Sequence, residues 1–317
     1  MKAFALGLAL LAAGVVASWA AADGLPVLGV DVGADGVTVP GARSRYVTLP
    51  APTGTLVLRI QLADARVRGL RYVRGNYAVP AVAYDGSAGG LSADAKTLVL
   101  LEPRAAFPRA RTRLTVLDAK TLQTRRRVRL QGDFSFDAIS PDGAWLYLIH
   151  YLSPQDPTKY EVRAYDLAHG RLLPEPIVDP HEAGEDMRGR PLTRAASADG
   201  RWAYTLYDGN GKPFVHALDT VGRTARCIDL DELARRDLNS ARLTLDGPTL
   251  AVGLRGAVVA LIDTGSLTVR PPEPVPAAQP AGDGGGIPWL PLVAGALIAI
   301  AAAGTASLSA LRHRAAA

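Results

Sequence analysis

A single cysteine, Cys227, in 317 residues excludes an internal disulfide and any zinc site built from several thiolates. No histidine sits next to it in sequence to make a thiol nucleophile, so Cys227 reads as a small buried strand residue. Methionine (2), tryptophan (4) and phenylalanine (5) are scarce, while Ala, Gly, Pro and Arg are abundant. That balance follows partly from GC-rich coding, so Ala-rich and Arg-rich stretches carry little functional weight by themselves. A large charge of one sign is missing too. The formal +5 counts Lys2, Arg312 and Arg314 in terminal segments that hold no Asp or Glu; of 35 basic residues that leaves 32, against 30 acidic ones. A domain this near neutrality lacks the electrostatic footprint of a nucleic-acid binder. No G-x-S-x-G or H-E-x-x-H signature occurs. No catalytic, cofactor-binding or metal-ligating set is therefore assigned, and no cofactor is expected. What the chain does have is 48% apolar and 21% charged residues, enough for a packed core and too apolar for global disorder.

Long uncharged apolar runs occur only at the two ends. Residues 1–22 place Lys2 before the apolar stretch Ala3–Ala17, with small residues at Ser18/Ala20 and Ala20/Ala22 spaced as a signal peptidase needs. Whether this segment is cleaved or stays as an anchor, the domain after it is exported. Residues 287–311 carry no charge and are long enough to cross the hydrocarbon core as a helix. Trp289 sits at the outer edge and Arg312, His313 and Arg314 come directly after the inner one, which puts the C-terminus in the cytoplasm. Between the two, residues 271–286 read PPEPVPAAQPAGDGGG, a stalk stiffened by proline and loosened by glycine. The expected organisation is a signal peptide (1–22), an extracytoplasmic domain (23–270), the stalk (271–286), one transmembrane helix (287–311) and a short cytoplasmic tail (312–317).

The extracytoplasmic part repeats. Four segments align, beginning at Gly90, Ala138, Ala195 and Arg242, each running from Ser or Thr through an Asp turn into an apolar strand. The turn aspartates are Asp94, Asp142, Asp199 and Asp246, spaced by 48, 57 and 47 residues. Asp-Gly favours the positive φ values of a tight reversal. A second alternating strand comes next in each unit and ends at Asp118, Asp166, Asp219 and Asp263; a third begins at Thr124, Arg171, Thr224 and Ser266. One unit is four short strands, the content of one propeller blade. A degraded first unit is read at Arg45, Thr55 and Val67, with Val37–Val39 as its inner strand. The expected fold is all-β, a propeller of about five four-stranded blades in a closed ring.

The S-x-D-G-x-x-apolar-Tyr/Val core with V-x-x-apolar-D after it resembles the YVTN-type and Tol-associated propeller repeats, relatives in architecture of the WD-repeat proteins. The resemblance covers residues 37–270. It implies a fold that serves both enzymes and passive scaffolds. Ala95 departs from it by standing where the repeat has Gly.

Several groups invite a functional role. The loop 179–192 offers His181, Glu182, Glu185 and Asp186 to a cation, although nothing fixes them at ligand spacing and a solvated acidic loop accounts for them. Arg104, Arg109, Arg111 and Arg113 form one basic group. Arg125, Arg126, Arg127 and Arg129 form another on an outermost strand, where charge also deters edge pairing. His150, His169 and His216 do not occupy equivalent repeat positions, as a central metal would require. Ser92, Ser140 and Ser197 recur from unit to unit and so serve the turn. Trp145, Trp202, Tyr147 and Tyr204 recur at matching offsets, as packing between blades requires. The functional expectation is a membrane-anchored module that binds a protein or peptide. The alternatives are an extracytoplasmic enzyme of lactonase or quinoprotein type, and an envelope sensor coupled through its helix.

Overall fold

The computed structural model describes residues 34–182 and 187–272. The segments expected to form the signal peptide (1–22), the transmembrane helix (287–311), the tail (312–317) and nearly all of the stalk (271–286) lie outside the described residues, as do Glu185 and Asp186. No helix among the described residues is long and apolar enough to cross a membrane.

Five antiparallel sheets succeed one another along the chain. Blade 1 is β1 (Ser44–Ala51), β2 (Gly54–Gln61) and β3 (Val67–Arg74), and blade 2 is β4 (Thr97–Leu101), β5 (Arg111–Asp118) and β6 (Thr124–Gln131). Blade 3 is β7 (Phe134–Ile139), β8 (Trp145–Tyr151), β9 (Tyr160–Asp166) and β10 (Arg171–Ile177). Blade 4 is β11 (Pro191–Ala196), β12 (Trp202–Tyr207), β13 (Phe214–Asp219) and β14 (Thr224–Asp229). Blade 5 is β15 (Ala241–Asp246), β16 (Thr249–Leu254), β17 (Ala257–Asp263) and β18 (Val269–Arg270). Each is an up-and-down meander, the topology of a propeller blade. The four-strand expectation holds in full for blades 3 to 5. In blades 1 and 2 the fourth strand shrinks to the bridges Val37–Tyr46 and Leu91–Leu98.

The apolar strands are buried on both faces, and this is why they stack. In β8, Leu146 and Leu148 pack with Val99, Leu114 and Val116 of blade 2. The alternate residues Tyr147 and Ile149 pack with Ala203, Tyr207 and Leu218 of blade 4. In β12, Tyr204 and Leu206 turn the other way, onto Leu243, Leu250 and Val252 of blade 5. A third core joins Tyr46, Val57 and Val73 of blade 1 to Leu98, Leu100 and Leu117 of blade 2. The period of two along each strand thus alternates between two neighbouring blades. At the inner ends, the Asp94 N–H donates to the Pro141 carbonyl and the Tyr84 N–H to the Pro191 carbonyl, which ties blades 2, 3 and 4 together.

A closed ring would cover both faces of blade 1. Among the described residues no apolar core joins blade 5 to blade 1, and the outer face of blade 1 is open. Register places Arg45, Val47 and Leu49 of β1, Leu56, Leu58 and Ile60 of β2, and Val67, Leu70, Tyr72 and Arg74 of β3 on that one face. Leu70 is 61% exposed, Val67 52%, and Leu49 and Tyr72 45% each. The repeat pattern specifies a two-sided sheet. It cannot specify that a neighbour stands on both sides.

The recurring serine and aspartate are turn devices, as their repetition implies. Ser92, Ser140 and Ser197 each donate to the turn aspartate two residues on, over 2.6 Å. Each also accepts the N–H of the residue five ahead (Thr97, Trp145, Trp202). Each aspartate then accepts the N–H of Lys96, Ala144 or Arg201 at 3.0 Å. Asp118, Asp166, Asp219 and Asp263 close the next turn by accepting N–H groups two or three residues ahead.

These bonds predict an acid response of defined sign. The Ser140 hydroxyl first, and then the Ala144 N–H, hold Asp142 below the usual carboxylate range; Ser197 and the Arg201 N–H do the same to Asp199. A carboxylate whose folded pKa is depressed stabilises above its unfolded value of about 3.9, and that contribution is lost as pH falls through the folded pKa. Asp142→Asn is therefore expected to be less stable than the native chain in urea at pH 7. The gap between the two should narrow below about pH 4. A gap independent of pH would show that the carboxylate charge is not what the turn uses.

The residue after the first-turn aspartate has positive φ in all four units: Ala95 (55°), Gly143 (73°), Gly200 (73°) and Gly247 (52°). At Gly200 the space is also taken, since a Cβ there would lie 2.6 Å from that of Ala93. Ala95 alone bears the left-handed penalty of about 1 kcal/mol. Ala95→Gly is expected to stabilise the chain by roughly 0.5–1 kcal/mol, read as a higher urea midpoint.

Candidate functional site

A large cavity lies between the outer halves of blades 3 and 4. It is a groove of about 660 Å³, with Val162, Pro176, Ile177 and Phe214 among its walls and Arg188 and Lys212 among its charged groups. β9 and β10 supply one side, and β13 and β14 the other. On the blade 4 side, His216 of β13 stands directly opposite Cys227 of β14, so the two side chains share a face. From blade 3, the chain leaving β10 brings Asp179 and Glu182 across to them. A ligand atom from each of Asp179, Glu182 and Cys227 lies within 4.8 Å of the others.

Local chemistry builds this cluster. Asp179 is buried and bridges the blades: its Oδ2 accepts the Cys227 N–H at 2.8 Å and its Oδ1 accepts the His181 N–H at 2.9 Å. The Arg226 Nε stands 3.3 Å from Oδ2. Burial pulls the Asp179 pKa up, but these hydrogen bonds and the guanidinium outweigh it and hold the carboxyl below its ordinary range. The thiol goes the other way. Burial first, and then the charge and hydrogen bonding of Glu182, raise Cys227 well above the ordinary thiol range. His216 is 1% exposed, and its Nε2 has no hydrogen-bond partner. Burial lowers its pKa to about 4, so the imidazole is neutral.

The inner ends of blades 3 and 4 are filled. A cavity of about 20 Å³ remains there, lined by Ser135, Asp137, Tyr151, Tyr160 and Tyr207 among others, room for about one water. The buried carboxylates of this region are engaged by guanidinium groups: Asp137 with Arg194, and Asp133 with Arg104 and Arg109.

No protein-family model matches the chain, and no curated protein matches it in sequence. Solved structures do resemble it. TolB from Acinetobacter baumannii is 13% identical, covering 75% of this chain and 53% of its own, with a TM-score of 0.41; the chain spans about half the length of that TolB. A functionally unknown protein from Desulfotomaculum acetoxidans is 14% identical over 76% of this chain and 68% of its own, with a TM-score of 0.46. The β-propeller domain of Cps50 (Swd1) from Myceliophteria thermophila is 11% identical over 74% and 67%, with a TM-score of 0.44. These likenesses concern architecture alone, and the blade assignment stands on the five meanders themselves.

Of the residues singled out from sequence, the structure brings together a different set from the one expected. Within the loop 179–192, Glu182 joins the cluster, whereas His181 is turned outward and bonds Asp179 through Nδ1. Cys227 is half-buried on its strand, but its neighbours are carboxylates rather than a plain apolar core. His150 stacks on Phe134 and bonds Glu161, and His169 lies exposed on a turn beside Asp166, so the histidines do not converge. The first arginine group divides: Arg104 and Arg109 go inward to Asp133, and Arg113 pairs with Glu102 at the surface. The second lies on β6, the outermost strand of blade 2, where Arg125 pairs with Asp118 and Arg126 donates to the Ala168 carbonyl. Tyr147 and Tyr204 are buried between blades, and Trp145 and Trp202 pack beside them. Asp179 and His216 were not picked out as a pair from sequence. Only the pairing of β13 with β14 and the path of the chain after β10 unite them.

Proposed function

We propose that this chain is an exported, membrane-anchored propeller that binds a protein partner, and that the outer face of blade 1 is the docking surface. The observation that carries this reading is the apolar face itself. Leu49, Leu70 and Tyr72 lie exposed on it, with the partly buried Leu56 and Leu58 of the middle strand between them. A contiguous exposed apolar face marks an interaction site, since a soluble sheet otherwise covers it. The face is also shaped for use. Gly54 has no side chain where a Cβ would lie 2.6 Å from the Tyr72 ring, and the Tyr72 hydroxyl is fixed to the Thr53 hydroxyl at 2.5 Å. Arg45 and Arg74 stand exposed at the ends of the face. The partner chemistry that fits is an apolar surface with acidic groups at its margin. The uncharged run at 287–311 would hold this surface at the membrane, outside the cytoplasm.

The test is a photo-reactive side chain at position 70 in the full-length chain in intact cells. The expected result is a covalent adduct with a second protein that is absent when the probe sits at exposed Arg129. The adduct should be lost in Leu49→Asp/Tyr72→Asp while the Tm is kept. Adducts with lipid or with the chain itself only, or adduct formation unchanged in the double variant, would overturn the reading. Protease added to the same cells should cleave the propeller if it lies outside.

A further inference from the structure

We propose that Asp179, Glu182 and Cys227 form a binding site for a zinc-like divalent cation in the groove between blades 3 and 4, with His216 beside them as the fourth group. The inference is independent of partner binding at blade 1.

Three donors from two neighbouring blades meet here. Asp179 and Glu182 come from the segment after β10, and Cys227 comes from the outermost strand of the next blade. Ligands roughly 2.0–2.3 Å from a tetrahedral ion stand roughly 3.3–3.7 Å from one another. Donor atoms already within 4.8 Å need only small side-chain adjustments to enclose one. Proximity of two carboxylates and a thiol would mean little alone. The second observation is His216: a buried imidazole without a hydrogen-bond partner at Nε2, facing the same groove from the strand position opposite Cys227. An unpartnered buried polar atom carries a desolvation cost, which a bound cation or a water on that cation would remove.

The three-atom donor set selects the ion: a thiolate favours zinc, cobalt or cadmium over calcium or magnesium, which want six or more oxygens, and the His216 imidazole stands beside that set as a group able to complete the shell. Binding proceeds with loss of the thiol proton: the S–H bond breaks, a metal–sulfur bond forms, and the proton passes to solvent. With Asp179 already anchored by the Cys227 N–H and the His181 N–H, one carboxylate is held in position before the ion arrives. The ion would cross-link blades 3 and 4 along the groove.

The purified full-length chain, stripped with a chelator, is titrated with Co²⁺ and then Zn²⁺. The expected result is one equivalent of Co²⁺ bound, with a sulfur-to-cobalt charge-transfer band and the visible bands of a tetrahedral ion, all displaced by one equivalent of Zn²⁺. Cys227→Ser should abolish the charge-transfer band. Glu182→Gln and His216→Gln should weaken binding by roughly 10–100-fold. Glu182 and Cys227 are only partly buried and Cys227→Ser and Glu182→Gln keep the side-chain shape, so melting curves of the metal-free variants should match the native chain closely. If Cys227→Ser fails to fold, Glu182→Gln carries the same question. No charge-transfer band at stoichiometric Co²⁺, or affinity unchanged in Glu182→Gln, would overturn the proposal.

Discussion

Asp133→Ala is expected to destabilise the chain by about 3–5 kcal/mol, the cost of stranding buried charge, and to lower Tm by roughly 10 °C. The Asp133 side chain is 2% exposed and that of Arg104 0%. Arg104 donates through Nε to both carboxylate oxygens at 3.0 Å and through Nη2 to Oδ1 at 2.6 Å. The Arg109 N–H reaches Oδ2 at 2.9 Å, and its own guanidinium lies 3.3 Å from Oδ1. Removing the carboxylate therefore leaves two guanidinium groups facing each other in a site with little water. Arg104 also lies over the Tyr151 ring at 5.0 Å and the Phe107 ring at 5.6 Å, so it has no easy exit. Asp133→Ala/Arg104→Met should recover part of the loss, because it removes one of the two buried guanidinium groups along with the carboxylate they share. Urea melts of the two variants decide the matter. A loss under about 1 kcal/mol in the single variant would mean that solvent reaches the pair.

Tyr147→Ala is expected to cost about 3–5 kcal/mol, as large-to-small changes in a packed core do, whereas Tyr147→Phe should cost about 1 kcal/mol. The ring is fully buried and packs among Ala164, Ala203 and Leu218, on the boundary between blades 3 and 4. Its hydroxyl donates to the Thr220 carbonyl at 2.7 Å, across the blade boundary and into the turn capped by Asp219. The alanine variant loses packing and hydrogen bond together, and the phenylalanine variant only the bond. The difference between the two measures the ring. Equal losses in both would place the energy in the hydrogen bond and contradict the packing account.

Much of the fold was legible because each blade repeats a local device. Asp142 and Asp199 need a serine two residues back and an N–H two residues ahead, all within one turn, so the spacing of the motif contains its structure. Tyr147 and Tyr204 were readable as packing residues for the same reason, since equal offsets in successive strands place them on equivalent faces. The degraded first unit was legible at β1, β2 and β3 from their turns. Its inner strand was not, because Val37 makes only a bridge to Tyr46 where a strand was expected. The arginines misled in part. Arg104 and Arg109 share the composition of a surface patch with Arg111 and Arg113, and only the position of Asp133 on the chain entering β7 draws the first two inward.

Alternating apolar strands and turn aspartates, read along the chain, determined that it builds five successive antiparallel meanders, because hydrogen bonds within a hairpin link residues near in sequence. Tertiary structure alone decided what stands between those units. Asp179 and Cys227 are 48 residues apart in number and one hydrogen bond apart in space. The apolar face of Leu49, Leu70 and Tyr72 is a surface because, among the described residues, no blade covers it. Both depend on which sheet stacks on which, and side-chain burial across a blade boundary leaves no fixed spacing in the sequence.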